Sequence, residues 1–342
     1  MKENRRNIIF KITDYIEPDL NWEAKECKNL GIDFHPYQMK KASPSELIRN
    51  FKDADILLTN MATINNEVIN GLDNLKLLLR HGIGYEKIDV GAATRKGIVF
   101  ANQANASSED VAEHAIMLIF ETYRKRKLQD KVLQSWINSK KWSSDAMKPI
   151  YRMKGKILGI IGCGNIGSRL LKKMSSMGLT ILVCDPYLSK ERYKELGTEH
   201  TPFDEVLKRS DILSIHVPLT QETRGMFNMQ KLKQMKKSAV LINTARGEVI
   251  HTLDLIQALK ENIISGAGID VYESEPPAPD SELVTLENVI LTPHMAWYSE
   301  EGSWDIRFMI LDDVRSFLKG ELPRCVVNPE VLGQKNLRYH LV

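Results

Sequence analysis

The chain has 342 residues, of which 43% are hydrophobic and 27% are charged, an ordinary composition for a soluble globular protein. This length predicts about two domains of ~150 residues each. The net charge of +3 is too small to indicate a nucleic-acid partner. No segment approaches the ~20 consecutive apolar residues of a transmembrane helix, and the N-terminus lacks the apolar core of a signal peptide.

The cysteines and histidines show no metal-binding pattern. The four cysteines (Cys27, Cys163, Cys184 and Cys325) form no CxxC motif, and none of the eight histidines forms an HxH or HxxxH pair. Free thiols of this kind are typical of the reducing cytoplasm. We therefore predict a cytoplasmic protein with no metal site and no membrane segment.

Ten short apolar runs recur along the chain, separated by segments of helical length. The runs are 7–12, 54–59, 75–79, 97–101, 157–163, 179–184, 211–217, 238–243, 265–270 and 288–292. Several are almost continuously apolar, which indicates strands that are buried on both faces, as in parallel sheets. Alternation of such strands with helices predicts an α/β fold.

Three segments suggest how the strands divide between domains. Residues 109–128 predict a long helix with Ser107 or Ser108 as its N-cap. Residues 129–156 are polar and basic, and we interpret them as an extended excursion between two sheets. Residues 300–320 predict a helix that ends at Gly320 and returns to the first domain. The predicted domains are therefore 1–106 with 301–342, and 107–300.

The stretch GIIGCGNIGS, residues 159–168, contains the spacing GxGxxG. Gly162, Gly164 and Gly167 lie between a predicted strand and a predicted helix, and the following strand ends at Asp185. In a Rossmann unit these glycines admit the pyrophosphate at the helix N-terminus, and the acidic residue binds the adenosine ribose. Because a carboxylate repels a 2′-phosphate, NAD is favoured over NADP, although Lys190 and Arg192 leave NADP open.

Three later segments supply reactive side chains just beyond predicted strands. Arg246 lies in LINTARGEV, Glu275 in GIDVYESEPP and His294 in ILTPHMAWYSE. An arginine can bind a carboxylate through its planar fork, and a histidine can protonate a carbonyl oxygen. Glu275 would orient the imidazole and favour its charged form, with Glu273 as the alternative partner. This set predicts the reduction of a 2-oxo acid.

The order of these motifs resembles that of the D-isomer-specific 2-hydroxyacid dehydrogenase family. GxGxxG, Asp185, HVPLT, NTARG, DVYESEP and TPH follow one another as in that family. The resemblance covers roughly residues 54–327. It implies a doubly wound Rossmann coenzyme domain (107–300) and a smaller flavodoxin-like α/β substrate domain (1–106 and 301–342). It also implies a homodimer.

The resemblance assigns further residues. Arg246, Glu275 and His294 would be the catalytic three. The NAD-binding residues would be Gly162, Gly164, Asn165, Ile166, Gly167, Asp185, Val217, Thr244, Ala245 and Asp270. The substrate side would be formed by Met61, Ile83, Gly84 and Trp297, with the backbone N–H groups of Ile83 and Gly84 directed at the substrate carboxylate.

DVYESEP and TPHMAWYSE resemble the C-terminal-binding-protein-like branch in particular, which implies that Trp297 lies beside the substrate side chain. That branch brings in an alternative function, an NAD(H)-responsive corepressor-like protein with little turnover. The sequence departs from phosphoglycerate-using members at Asn60, Met61 and Ala62, where those members tend to have an arginine. Glyoxylate, hydroxypyruvate and 3-phosphoglycerate remain alternative substrates.

Overall fold

The structure, a computed structural model, describes residues 7–143 and 145–340. The chain divides into two compact units. Unit 1 comprises Met1–Ser107 and Ser299–Val342, and unit 2 comprises Ser108–Tyr298. The chain passes from unit 1 to unit 2 between Ser107 and Ser108, and it returns between Tyr298 and Ser299.

Unit 1 contains a five-stranded parallel sheet. Its strands are β1 (Ile9–Ile12), β2 (Asp33–Pro36), β3 (Ile56–Thr59), β4 (Leu77–Arg80) and β5 (Val99–Ala101), in the order β2-β1-β3-β4-β5. Its first helices are α1 (Asn21–Asn29), α2 (Pro44–Phe51), α3 (Asn66–Gly71) and α4 (Val90–Arg95). This strand order is that of flavodoxin-like folds, which confirms the predicted fold of this part of the chain.

Unit 2 contains a six-stranded parallel sheet. Its strands are β6 (Ile157–Ile161), β7 (Thr180–Cys184), β8 (Ile212–Ile215), β9 (Val240–Asn243), β10 (Gly266–Ile269) and β11 (Val289–Leu291), in the order β11-β10-β9-β8-β6-β7. A single parallel bridge joins His200 to Val183 on β7. When His200 is counted as an outer strand beside β7, the sheet contains the classical Rossmann order 3-2-1-4-5-6, and β11 adds a seventh strand.

The helices of unit 2 cover both faces of this sheet. They are α5 (Ser108–Tyr123), α6 (Arg126–Ser139), α7 (Asn165–Met174), α8 (Lys190–Glu195), α9 (Phe203–Arg209), α10 (Met229–Leu232), α11 (Thr252–Lys260) and α12 (Glu282–Thr285). Strands β8 and β9 are buried at every position, and separate apolar clusters pack on the two faces. This double burial explains why the strand sequences are continuously apolar rather than alternating.

The last long helix, α13 (Glu300–Lys319), belongs to unit 1. The hydroxyl of Ser299 caps its first turn, and Gly320 ends it in the left-handed conformation with φ 71°. Buried side chains of α13, among them Ile310 and Leu311, pack in the same cluster as Phe10 of β1. The segment that was predicted to return to the first domain is thus part of unit 1.

Two predictions about the elements were wrong. The helix predicted over 109–128 ends at Tyr123, because Lys125 adopts a left-handed conformation (φ 54°) and separates α5 from α6. The excursion predicted over 129–156 contains most of α6, a helix with no buried residue. Its apolar residues Leu133, Trp136 and Ile137 have helical spacing, but they are exposed in this chain and belong to none of the buried apolar clusters of its described residues.

Candidate active site

Gly162 and Gly164 lie between β6 and α7, Gly167 lies in the first turn of α7, and each occupies a different environment. Gly162 has φ +85°, and a Cβ on it would lie 2.7 Å from the carbonyl oxygen of His216. A Cβ on Gly167 would lie 2.2 Å from the carbonyl oxygen of Gly162, whereas a Cβ on Gly164 would meet nothing within 4 Å. The first glycine therefore makes the turn, the third permits close packing of helix on strand, and the second leaves open space. This is the division of roles in a dinucleotide-binding loop.

Asp185 follows β7 and is tied to the glycine loop. Its Oδ2 accepts a hydrogen bond from the backbone N–H of Cys163 (2.8 Å), and its Oδ1 accepts one from the N–H of Tyr187 (3.0 Å). A carboxylate has about four acceptor positions, so capacity remains for two ribose hydroxyls. The arrangement fits the adenosine end of NAD.

The far end of the same crevice contains unsatisfied polar atoms. Thr244 directly follows β9, and its hydroxyl is buried without a hydrogen-bond partner among the described residues. The same holds for Nδ1 of His216, which precedes Val217 at the end of β8. Burial lowers the pKa of His216 to about 4, so this ring is neutral. Because an unpaired buried polar group costs roughly 1–3 kcal/mol, these atoms indicate that a polar ligand completes the crevice.

Arg246 lies in the turn between β9 and a 3-10 helix, Gly247–Val249. Asn243, the last residue of β9, shapes this turn from a buried position. Its Nδ2 donates to the carbonyl of Arg246 (2.8 Å), and its Oδ1 accepts from the N–H of Ala245 (3.0 Å). The NTARG motif therefore fixes the backbone that presents the guanidinium.

His294 and Glu275 form a hydrogen-bonded pair. Nδ1 of His294 lies 2.7 Å from Oε2 of Glu275, and both side chains are partly exposed. Burial alone would raise the pKa of Glu275. The hydrogen bond and charge of His294, the N–H of Tyr272 and the charge of Arg246 together lower it. The carboxylate is therefore ionised at neutral pH and able to stabilise an imidazolium.

The competing carboxylate, Glu273, forms no hydrogen bond or ion pair with His294 in the described part of the chain. Its Oε1 lies 3.3 Å from the N–H of Thr252 and accepts a hydrogen bond from it. Of the two acidic residues in DVYESEP, the structure brings Glu275 to the imidazole.

The backbone of His294 has a positive φ of 55°, which is uncommon for a residue other than glycine. Its N–H donates to the carbonyl of Asp270 (2.9 Å). The buried carboxylate of Asp270 accepts from the hydroxyl of Thr292 (2.6 Å) and from the N–H groups of Met295 (3.0 Å) and Ala296 (3.1 Å). Asp270, predicted at the nicotinamide side, thus holds the loop that carries His294.

The electrostatics of Asp270 suit this role. Burial alone would raise the pKa of its carboxyl group, but hydrogen bonds from His114, Thr292 and the loop N–H groups lower it. The group is therefore a charged acceptor at neutral pH. Thr292 is a site residue that was not predicted, although the TPH motif places it two residues before the predicted base.

The predicted substrate residues of unit 1 lie in two loops. Met61 follows β3, and its N–H donates to Oδ2 of Asp14 (2.8 Å). The carbonyl of Ile83 accepts from Nδ2 of Asn102 (2.7 Å), and that of Gly84 accepts from Nε of Arg80 (2.8 Å). Within the described part of the chain, the N–H groups of Ile83 and Gly84 have no acceptor. The loop is fixed through its carbonyls and presents two available donors.

Trp297 lies three residues after His294 and is partly buried in unit 2. Its ring meets that of Tyr298 edge to face at a centroid distance of 5.3 Å. No group of three or more potential metal ligands occurs among residues 7–143 and 145–340.

Comparisons with known proteins place the chain in a family. Residues 116–296 match the family model described as D-isomer specific 2-hydroxyacid dehydrogenase, NAD binding domain. A glyoxylate reductase from Thermofilum pendens is 37% identical over 327 residues, which cover 94% of each protein. A D-3-phosphoglycerate dehydrogenase from Methanocaldococcus jannaschii is 38% identical over 296 residues, covering 85% of this chain and 55% of that protein.

A solved structure with the same fold is that of D-lactate dehydrogenase from Aquifex aeolicus complexed with NAD and lactic acid. It superposes with a TM-score of 0.79 at 28% identity, over 92% of this chain and 96% of that one. The chain belongs to the D-isomer specific 2-hydroxyacid dehydrogenase family and is an NAD-dependent oxidoreductase that acts on 2-hydroxy acids.

Proposed function

We propose that this enzyme reduces a small 2-oxo acid, glyoxylate or hydroxypyruvate, to the corresponding 2-hydroxy acid. The observation that carries the proposal is the 2.7 Å pair of His294 and Glu275. Glu275 follows β10 and His294 follows β11, and both strands belong to the same sheet as β6, the strand before the glycine loop. Bound NADH supplies the hydride that adds to C2 of the substrate.

His294 is the proposed proton donor. Because Nδ1 is engaged with Glu275, Nε2 is the ring nitrogen that can give its proton to the carbonyl oxygen. The ionised Glu275 stabilises the imidazolium before transfer and keeps the ring oriented afterwards. In the oxidative direction the neutral ring accepts the hydroxyl proton at the same nitrogen.

Arg246 is the proposed ligand of the substrate carboxylate. A guanidinium presents two parallel N–H donors to the two carboxylate oxygens, which fixes the plane of the substrate. The N–H groups of Ile83 and Gly84 are proposed as further donors to the same carboxylate, and Met61 and Trp297 as contacts of the substrate side chain.

Two features favour an unphosphorylated substrate. Asn60, Met61 and Ala62 provide no cation in the loop after β3. Arg80 donates to the side chain of Asn60 (2.9 Å) as well as to backbone carbonyls, and Lys87 donates to the carbonyl of Met61 (3.2 Å). The side chains of Arg80 and Lys87 therefore form hydrogen bonds within these loops, which does not favour a role in binding a phosphate group. 3-Phosphoglycerate is the second candidate, because phosphoglycerate dehydrogenases are among the similar proteins.

The test is NADH oxidation with glyoxylate, hydroxypyruvate and pyruvate, together with NAD reduction by D-3-phosphoglycerate. We expect the highest kcat/KM with glyoxylate or hydroxypyruvate. A higher kcat/KM with 3-phosphoglycerate would select the second candidate. Turnover with none of the four would contradict the proposed activity and favour the NAD(H)-responsive binding protein.

We also propose a homodimer, on the basis of α6. This helix exposes Leu133, Trp136 and Ile137, each more than 40% accessible, and contiguous exposed apolar groups of this kind mark interaction surfaces. Light scattering after size exclusion tests the proposal. Trp136→Glu should shift the dimer to monomer, and Gln134→Glu, which adds the same charge on another face of α6, should not. A monomeric wild type would contradict it.

A cytoplasmic location is proposed from cysteine chemistry. All four cysteines are free, and three of them are buried, as expected in a reducing compartment. In the part of the chain that is described, none of the helices has the length and apolar character needed to cross a membrane. Fractionation of cells that produce the protein is the corresponding measurement.

A further inference from the structure

Tyr272 begins the loop that carries Glu275, and it contacts two of the three segments that supply the proposed catalytic residues. Its backbone N–H donates to Oε1 of Glu275 (3.1 Å). Its phenol hydroxyl donates to the carbonyl oxygen of Thr292 (2.8 Å), two residues before His294. One residue therefore binds the carboxylate with its main chain and the histidine loop with its side chain.

The backbone of Tyr272 also abuts the third segment. A Cβ built on Gly247, the residue after Arg246, would lie only 1.9 Å from the carbonyl carbon of Tyr272. The turn that presents the guanidinium is therefore packed directly against this residue. Arg246, Glu275 and His294 come from three separate loops, and Tyr272 contacts all three loops.

The phenol hydroxyl of Tyr272 remains a hydrogen-bond donor at every pH at which the enzyme would work. Burial raises the pKa of Tyr272 to about 12, helped by the negative charges of Asp270 and Glu275. The phenol thus keeps its proton over the working range of the enzyme. Its acceptor is a backbone carbonyl, so the bond itself does not depend on the protonation of a partner.

We propose that Tyr272 is a positioning residue for the reaction, which sets His294 relative to Glu275 and Arg246 through its bond to Thr292. It transfers no proton and makes no contact with the reacting atoms. The inference rests on the proposed roles of these three residues, and it adds a fourth residue that none of the family motifs assigns to catalysis.

The test is Tyr272→Phe, which removes one hydroxyl and retains the ring. Because a misplaced catalytic group costs rate rather than cofactor affinity, kcat should fall roughly 3- to 10-fold while KM for NADH stays within twofold. The matched control is Tyr339→Phe. Its hydroxyl also donates to a backbone carbonyl, that of Glu321 (2.5 Å), but it lies in unit 1. This control should lose comparable stability and retain wild-type kcat.

Amide hydrogen exchange in the absence of substrate gives a readout that does not depend on turnover. The N–H groups of Met295 and Ala296 should exchange faster in Tyr272→Phe than in the wild type, and at the wild-type rate in Tyr339→Phe. If the wild type turns over no 2-oxo acid, the proposed function fails and exchange alone decides the role of Tyr272. Unchanged exchange, an unchanged kcat, or equal effects in the control would each overturn the proposal.

Discussion

The chemistry of individual residues here depends on how the backbone presents them. His294 has a left-handed backbone conformation, which costs a non-glycine residue on the order of 1 kcal/mol and persists only where the surroundings enforce it. Asp270 enforces it by accepting the N–H of His294 at its carbonyl and those of Met295 and Ala296 at its carboxylate. The buried carboxylate of Asp270 therefore holds the loop that presents the partly exposed imidazole of His294.

Replacement of His294 by Ala should lower kcat by roughly 100-fold or more, because the carbonyl oxygen then takes its proton from water. NADH binding, followed by fluorescence titration, should remain close to that of the wild type. A loss of only a few-fold would show that another group supplies the proton.

Replacement of Glu275 by Gln should change the pH dependence of reduction. The carboxylate has a lowered pKa, so it is ionised across the neutral range and favours the imidazolium there. The neutral amide cannot do this, and the pH at which kcat/KM for the oxo acid has fallen by half should move to a lower value. Identical profiles for the two proteins would exclude a charge effect of Glu275 on His294.

At the scale of elements, the strands of the two parallel sheets could be predicted from the sequence, because a strand that is buried on both faces is almost continuously apolar. Ten of the eleven strands coincide with the apolar runs. Gly162, Gly164, Asp185, Arg246, Glu275 and His294 lie in loops that follow strands, and Gly167 lies in the first turn of α7. Strand β2 escaped prediction because its sequence, Asp-Phe-His-Pro, lies half-exposed at the sheet edge. An edge strand pairs with only one neighbour and is partly exposed, so it needs no continuous apolar run, and proline is tolerated in it.

The positioning contacts escaped prediction for a different reason. Tyr272 and Thr292 act through hydrogen bonds to segments that lie 20 and 22 residues away in the chain. Periodicity and motif spacing carry no information about such pairs. Only the folded backbone brings Thr292 to Asp270 and to Tyr272.

Substitutions of Gly164 and Gly167 should affect NADH binding and stability differently. Gly167→Ala should destabilise unit 2 by roughly 1–3 kcal/mol, because its Cβ would meet the carbonyl of Gly162. Gly164→Ala should cost less than about 1 kcal/mol, since the added Cβ meets nothing. The methyl group would instead occupy the place of the pyrophosphate and weaken NADH binding about tenfold or more.

Thermal unfolding and NADH titration of both variants give the comparison. Wild-type NADH affinity in a well-folded Gly164→Ala protein would contradict the assignment of this loop to the pyrophosphate.

Over the whole molecule, buried polar pairs as well as apolar clusters hold each unit. In unit 1, Nε2 of His81 lies 2.6 Å from Oε1 of Glu17, and both side chains are buried. Burial alone would raise the pKa of Glu17, but the hydrogen bond and charge of His81 and backbone N–H groups lower it from 4.5 to about 2. The pair anchors the start of the loop that contains Ile83 and Gly84.

This lowered pKa predicts an acid-dependent contribution to stability. Because the folded pKa lies below that of the unfolded chain, the contribution is complete above pH 4.5 and is lost as the pH falls toward 2. Glu17→Gln should therefore be less stable than the wild type by on the order of 2–3 kcal/mol at neutral pH. The difference, measured by urea unfolding from pH 7 to 2.5, should shrink below pH 4.5. A difference that does not vary with pH would argue against an ionic origin.

The return of α13 to unit 1 has a consequence for biosynthesis. The apolar cluster around Phe10 is completed by Ile310 and Leu311, which a ribosome makes only after all of Ser108–Tyr298. Unit 2 can therefore fold as soon as its own residues have emerged. The first segment of unit 1 has by then been made, but the face of its sheet that packs against α13 is still uncovered. At ~5–20 residues per second, that interval lasts about ten seconds or more, long enough for chaperones to engage the nascent chain.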